Sequence, residues 1–343
     1  MLSDLSLAAN LIVFAMAGLV VLFAGTKLTG IADRIADRTG LGEAVTGALL
    51  LGAATSLSGT VVSITSALDG YASLAFSNGV GGIAAQTAFL ALADLIYRRA
   101  NLEHAAADLA NLFQSTLLIL MLLVPLAAYV TPDLSFWAVH PASVVLFVIY
   151  LIGAYASVGV RKSPMWRAVH TDETRQDQPE EGVDDEKNRP WLFMPFLGLI
   201  LLLGGAGWVI AQSAEALSGQ LGVSSALVGA LMTAVVTSLP ELVTTLAAVR
   251  RGALQLAVGG IIGGNSFDVL FLTMSDLSYR DGSLYHAIGL ADLFWVIVGL
   301  SMTAVLLLGL ILRERSGPVN IGWESAVMLL IYGSAIGFQA WSG

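Results

Sequence analysis

Two carboxylates stand where carboxylates are costly. Glu241 and Asp268 lie deep inside long apolar stretches, where an ionised side chain costs several kcal/mol unless it is neutralised or faces a wet cavity. The residues beside them are polar or small: Thr237-Ser238-Leu239-Pro240-Glu241, then Gly263-Gly264-Asn265-Ser266-Phe267-Asp268. Related interruptions occur earlier, at Thr55-Ser56-Leu57-Ser58-Gly59 and at Ser77-Asn78-Gly79 through Gly82. Pro240 removes a backbone donor and pushes the preceding residue out of the helical region, which frees carbonyls that an ion, water or a side chain must satisfy. Carboxylate, hydroxyl and carbonyl oxygens together are the donor set of a hard cation. The plainer reading is a pair of protonated, hydrogen-bonded core acids. Two carboxylates close together in a low dielectric do not readily ionise at once, so occupancy of such a site is expected to depend on pH.

The elements that hold these residues are membrane spans. Of 343 residues 56% are apolar and only 12% charged, and the mean hydropathy is +0.80. A hydrocarbon core requires roughly 20 apolar residues per helix. The chain offers ten stretches, near 8–27, 43–68, 72–97, 108–130, 136–158, 191–214, 223–249, 254–277, 286–312 and 320–341. The start of the chain carries Asp4 and no basic residue before the first span, so that span is expected to be retained rather than cleaved as a signal. Basic residues collect in cytoplasmic loops. Lys27, Arg34, Arg38, Arg98, Arg99, the group from Arg161 to Arg189, Arg250, Arg251, Arg313 and Arg315 all fall on one side of this map, and Arg280 alone on the other. A multi-pass protein of the inner (plasma) membrane with both termini extracytoplasmic is expected.

The net charge of −9 is concentrated between His170 and Lys187. That run is polar enough to read as a solvated linker, and it lacks the glycine-turn spacing of an EF-hand loop. The expected organisation is a first five-helix repeat over 1–158, a cytoplasmic hydrophilic linker over 159–190, and a second five-helix repeat over 191–343.

Self-comparison supports that division. At an offset of 182 residues, Gly40 to Asp94 overlays Gly222 to Asp276 without a gap, with roughly 17 of 55 positions identical. Thr55-Ser56-Leu57 falls on Thr237-Ser238-Leu239, and Gly81-Gly82 on Gly263-Gly264. An odd number of spans per copy inverts the second copy relative to the first. In such folds the substrate site lies near the midplane, where interrupted helices of the two halves meet.

At these residues the sequence resembles the calcium/cation antiporter superfamily. Thr237 to Glu241, followed by Gly264-Asn265-Ser266-Phe267-Asp268, is similar to the second alpha-repeat of sodium/calcium and related cation exchangers. The resemblance implies an all-α membrane fold of about ten transmembrane helices in two inverted five-helix repeats, alternating access, and a central site to which both repeats contribute. It implies Glu241 and Asp268 as acidic ligands, Thr237 and Ser238 as hydroxyl and carbonyl contributors, and Thr55 and Ser56 as their first-repeat counterparts. The first repeat then departs from the family's pattern. Gly59 stands at the position of Glu241, Ser58 replaces the proline, Gln86 stands at the position of Asp268, and Gly82 and Gly264 stand where small hydroxyl residues often serve. Two carboxylates suit one divalent ion, two monovalent ions or two protons, and are poor for a large multi-sodium stoichiometry.

The leading expectation is a secondary-active antiporter that exchanges Ca²⁺ or another divalent cation against H⁺ or Na⁺. A passive cation conductor and a non-transporting exchanger-like subunit are the alternatives. Inorganic cations, as substrates, and the lipid bilayer are the partners expected, with no cofactor and no nucleic acid. No P-loop, dinucleotide fingerprint, zinc-ligand cluster or nucleophile with its base occurs, which argues against ATP-driven transport and enzymatic activity. There is no cysteine, hence no disulfide or thiolate metal site. Asp94, Asp276 and His140 are expected at span ends as capping or interfacial groups, and Trp137, Trp323 and Trp341 in the aromatic belt.

Overall fold

A computed structural model describes residues 4–39, 54–97, 100–167, 169, 171, 193–317 and 321–342. The first part of the expected span 43–68 and the acidic run after His170 lie outside the described residues. The helices are α1 (Leu7–Thr39), α2 (Leu57–Leu68), α3 (Ala72–Ile96), α4 (Leu102–Ala106), α5 (Leu109–Val130), α6 (Pro141–Lys162) and α7 (Phe193–Leu221). They continue as α8 (Ser225–Thr237), which contains a π-helical turn at Val228–Thr233, and α9 (Leu239–Arg251). The last are α10 (Leu254–Asp268), α11 (Leu270–Ser278), α12 (Leu284–Ala287), α13 (Leu290–Leu312) and α14 (Trp323–Ser342).

Among the described residues, seven helical spans are long and apolar enough to cross a membrane, and α8 with α9 forms an eighth bent by 47°. The remaining two of the ten expected spans correspond to α2, the described part of 43–68, and to α14, whose Glu324 and Gln339 lower its hydropathy.

The duplication is visible in the element bounds. Gln86 and Asp268 stand 182 residues apart, and the starts of α2, α3, α4 and α6 return at that offset as the starts of α9, α10, α12 and α14. The turns between α2 and α3 and between α9 and α10 repeat as well: Gly70 and Gly252 adopt φ of +84° and +82°, a left-handed conformation that only glycine enters without strain.

Burial separates inner helices from outer ones. In the apolar windows of α3 and of α10 with α11, 83% of the residues are buried, against 33% in α1 and 28% in α6 and α7. The outer helices direct large apolar side chains outward, among them Ile12, Phe23, Ile152 and Leu201, as lipid-facing helices must. α1 packs along α7, and α3 lies against α8, α10, α13 and α14. The two most enclosed helices are thus the ones that carry Gln86 and Asp268.

Candidate ion-binding site

The site is built at helix breaks. α8 ends at Thr237 and α9 begins at Leu239, with Ser238 between them at φ −94°, ψ 6°. Ser56 takes nearly the same conformation, φ −87°, ψ 7°, where helical Ala54-Thr55 passes into α2. Pro240 sits in the first turn of α9, where its missing N–H would have no intrahelical partner anyway. The first repeat breaks at the same place with Ser58 instead of proline, so proline is not what sets the break. A second interruption separates α10 from α11 immediately after Asp268, whereas α3 runs unbroken through Gln86. The second repeat therefore places its carboxylate at a helix end, and the first places its amide mid-helix.

The side chains of both repeats converge on Asp268, which is 2% exposed. Ser56 Oγ donates to Asp268 Oδ1 at 2.6 Å, and Gln86 Nε2 donates to Oδ2 at 2.6 Å. Gln86 Nε2 also donates to Ser238 Oγ at 3.2 Å. Thr55 hydrogen-bonds Glu241, and Asp268 lies close enough for its charge to act on Glu241. Glu241 is buried, and its Oε2 has no hydrogen-bond partner. Gln86 Oε1 is likewise buried without a partner, 3.4 Å from where a Cβ on Gly264 would lie. Buried acceptors of this kind are costly unless something donates to them or binds them.

All seven expected site residues are thus grouped around the breaks, though not equally. Ser56, Gln86, Ser238 and Asp268 form one hydrogen-bonded cluster, and Thr55 pairs with Glu241. Thr237 turns its hydroxyl back onto its own helix, donating to Thr233 O at 2.9 Å. Among the described residues no three acidic or histidine side chains are arranged to hold a metal. The acids grouped here are Glu241 and Asp268, with hydroxyl and amide side chains beside them.

Phe271 is a participant that sequence reading missed. A Cβ on Gly59 would lie 2.7 Å from Phe271 Cε2 and 3.5 Å from Thr237 Oγ1, so an aromatic edge fills the space where a first-repeat acid would begin. A phenylalanine in an apolar run gives no signal of this. Asn78 was visible as a polar interruption, and its role is structural: its Nδ2 donates to Gly59 O at 3.0 Å and to Ser63 Oγ at 2.9 Å.

Further carboxylates prove buried where interfacial groups were expected. Asp94 and Asp276 each accept from the first N–H of the next short helix, Leu102 at 2.7 Å and Leu284 at 2.9 Å. They cap, as anticipated, but with 0% exposure, because α14 and α6 close over them. His140 caps α6 through Ala142 N and is buried, and Trp137 and Trp341 are exposed.

The model of the sodium/calcium exchanger protein family matches residues 9–159 and 191–341. Sodium/calcium exchanger MaX1 of Methanosarcina acetivorans is 28% identical over 142 residues, 41% of this chain and 38% of the relative. Membrane protein MJ0091 of Methanocaldococcus jannaschii is 25% identical over 330 residues, 94% of this chain and 96% of that one. The solved sodium-calcium exchanger NCX_Mj, soaked with 10 mM Na⁺ and zero Ca²⁺, superposes with a TM-score of 0.58 at 20% identity, covering 97% of this chain and 99% of its own. With a family match in each half, the chain belongs to the sodium/calcium exchanger family, a family of cation antiporters rather than enzymes.

Proposed function

We propose that this protein exchanges a cation, Ca²⁺ or another divalent ion, against H⁺ or Na⁺ by alternating access at a midplane site. Its ligands are Glu241 and Asp268, with Thr237, Ser238, Thr55, Ser56 and Gln86 around them. The observation that carries this reading is the donor set itself. Two buried carboxylates from one repeat meet hydroxyls and an amide from the other at helix breaks, with acceptor oxygens left over at Glu241 and Gln86. A desolvated divalent cation would offset the charge of both acids at once, and two protons would do the same on the return stroke. The name of the MaX1 relative supports calcium and sodium as the first ions to test.

The resting place of the site is the plasma (inner) membrane, with both termini outside the cytoplasm and 159–190 linking the repeats, 1–158 and 191–343, within it. Arg315 O accepts from Asn101 N at 3.1 Å, which joins the segments after α3 and α13 at one end of the bundle. Arg280 contacts Trp137 O at the other. That separation supports the orientation drawn from the basic residues.

The test is ion uptake into proteoliposomes with Ca²⁺, Mg²⁺, Mn²⁺, Na⁺ or K⁺ against outward proton or sodium gradients. Uptake that needs a gradient, and falls to background in Glu241→Gln and Asp268→Asn proteins that remain folded, is the expected result. Normal flux in both variants would remove these acids from the site, and uptake indifferent to any counter-ion gradient would make the protein a conductor.

A further inference from the structure

The two ends of the bundle carry the same latch in different chemistry. At one end, Asp276 accepts from Leu284 N at 2.9 Å, from His140 N at 2.8 Å and from Ser143 Oγ at 2.6 Å. Ser143 Oγ in turn meets Tyr285 Oη at 3.0 Å. Every acceptor in that group has a donor. At the other end, Asp94 accepts from Leu102 N at 2.7 Å and from Gly322 N at 3.1 Å. These partners stand at the 182-residue offset that relates Gln86 to Asp268. At the same offset Tyr285 is replaced by Glu103, Ala142 by Glu324, and Ser143 by Ser325. Two neutral residues of one latch are therefore two carboxyls in the other.

Those carboxyls are built into the fold. Glu103 and Glu324 both have 0% exposure, and Gly309 leaves the room that Glu324 fills, since a Cβ there would meet Glu324 Cγ at 2.7 Å. Ser325 Oγ donates to Glu103 Oε1 at 3.3 Å. Glu103 Oε2 and both carboxyl oxygens of Glu324 find no hydrogen-bond donor on any other described residue. Besides its own backbone N–H, the group that Glu324 meets is the Glu103 carboxyl. Two carboxyls bond to each other only when one of them carries a proton.

Among the described residues, the charges that act on Glu103 and Glu324 are all negative. The charges acting on Glu103 are those of Asp94 and Glu324, and Glu324 also feels Glu314 beyond α13. The Arg313 guanidinium donates to Val169 O and His104 O, and the His104 ring is engaged with Arg313 O and Thr171 Oγ1.

We propose that Asp94, Glu103 and Glu324 form a proton-binding site at the Arg313 end of the bundle, separate from the exchange site, in which a proton shared between Glu103 and Glu324 ties α4 to α14. Its loss leaves three like charges buried together, and the latch loosens.

Burial first, then the Asp94 and Glu324 charges, hold the Glu103 carboxyl well above the ordinary range. A carboxyl shifted upward binds more protons folded than unfolded. Its contribution to stability is complete at acid pH and is lost as pH rises through the folded-state value. The test uses the purified full chain. Melting is followed against pH for the natural protein and for Glu324→Gln, together with the infrared band of protonated carboxylic acids in a Glu241→Gln/Asp268→Asn background, which removes the exchange-site acids. Glu324→Gln is expected to raise Tm at alkaline pH, leave it unchanged at acid pH, and remove protonated-acid intensity from the spectrum. Should Glu324→Gln fail to fold, Glu103→Gln carries the same comparison. An unchanged pH slope and an unchanged band would overturn the proposal, as would a background protein whose spectrum shows no protonated acid at neutral pH.

Discussion

The two repeats hold one scaffold and two chemistries. Ser56 and Ser238 break their helices in nearly the same conformation, and Gly70 and Gly252 turn the chain identically. Yet the positions held by Glu241 and Asp268 in the second repeat are held by Gly59 and Gln86 in the first. In the second repeat the acid ends a helix, and in the first the amide sits within a continuous one. Duplication has fixed where the helices break and turn while leaving the side chains that stand there free to diverge. Gln86 illustrates the gain from divergence, because an amide at that position donates to Asp268, whereas a second acid would repel it.

That asymmetry can be broken on purpose. The largest effect is expected from Gly59→Glu, which restores a third acid but drives its Cβ into Phe271. Overpacking of this kind costs about 1–3 kcal/mol or more, read as a fall in Tm. Adding Phe271→Ala should recover much of the loss and shift ion competition toward divalent cations; a double variant no more stable than Gly59→Glu alone would mean that Phe271 is not what excludes the acid.

Gln86→Leu comes next. It takes donors from both Asp268 and Ser238, and leaving a buried acceptor unpaired costs roughly 1–3 kcal/mol. Cation uptake should weaken with it. A variant as stable and as active as the natural protein would show that the amide is not needed at the site.

The smallest difference lies between equivalent glycines. Gly81 packs directly on the Ala230 backbone and has no room for a Cβ, whereas at Gly263 the nearest atom, Gln114 Oε1, lies 4.0 Å away. Gly81→Ala should lower stability by about 1–2 kcal/mol, and Gly263→Ala by no more than about 0.5 kcal/mol. Equal melting shifts would mean that α3 and α8 do not pack as closely as described.

Much of this molecule was legible in its residues. Hydropathy gave the membrane class, and the matched triplets and glycine pairs gave the duplication. The expense of a carboxylate among apolar neighbours singled out Glu241 and Asp268. These are local signals, carried by composition and spacing along one chain. Other features depend on which surfaces meet. That Gln86 donates to Asp268 across 182 residues, that Phe271 occupies the space beside Gly59, and that Glu103 and Glu324 are sealed together were decided by packing between repeats. A side chain's partner and its access to water are properties of the assembled bundle. The same glutamate near a span end is cheap when hydrated and consequential when enclosed, and only the tertiary structure chose between the two.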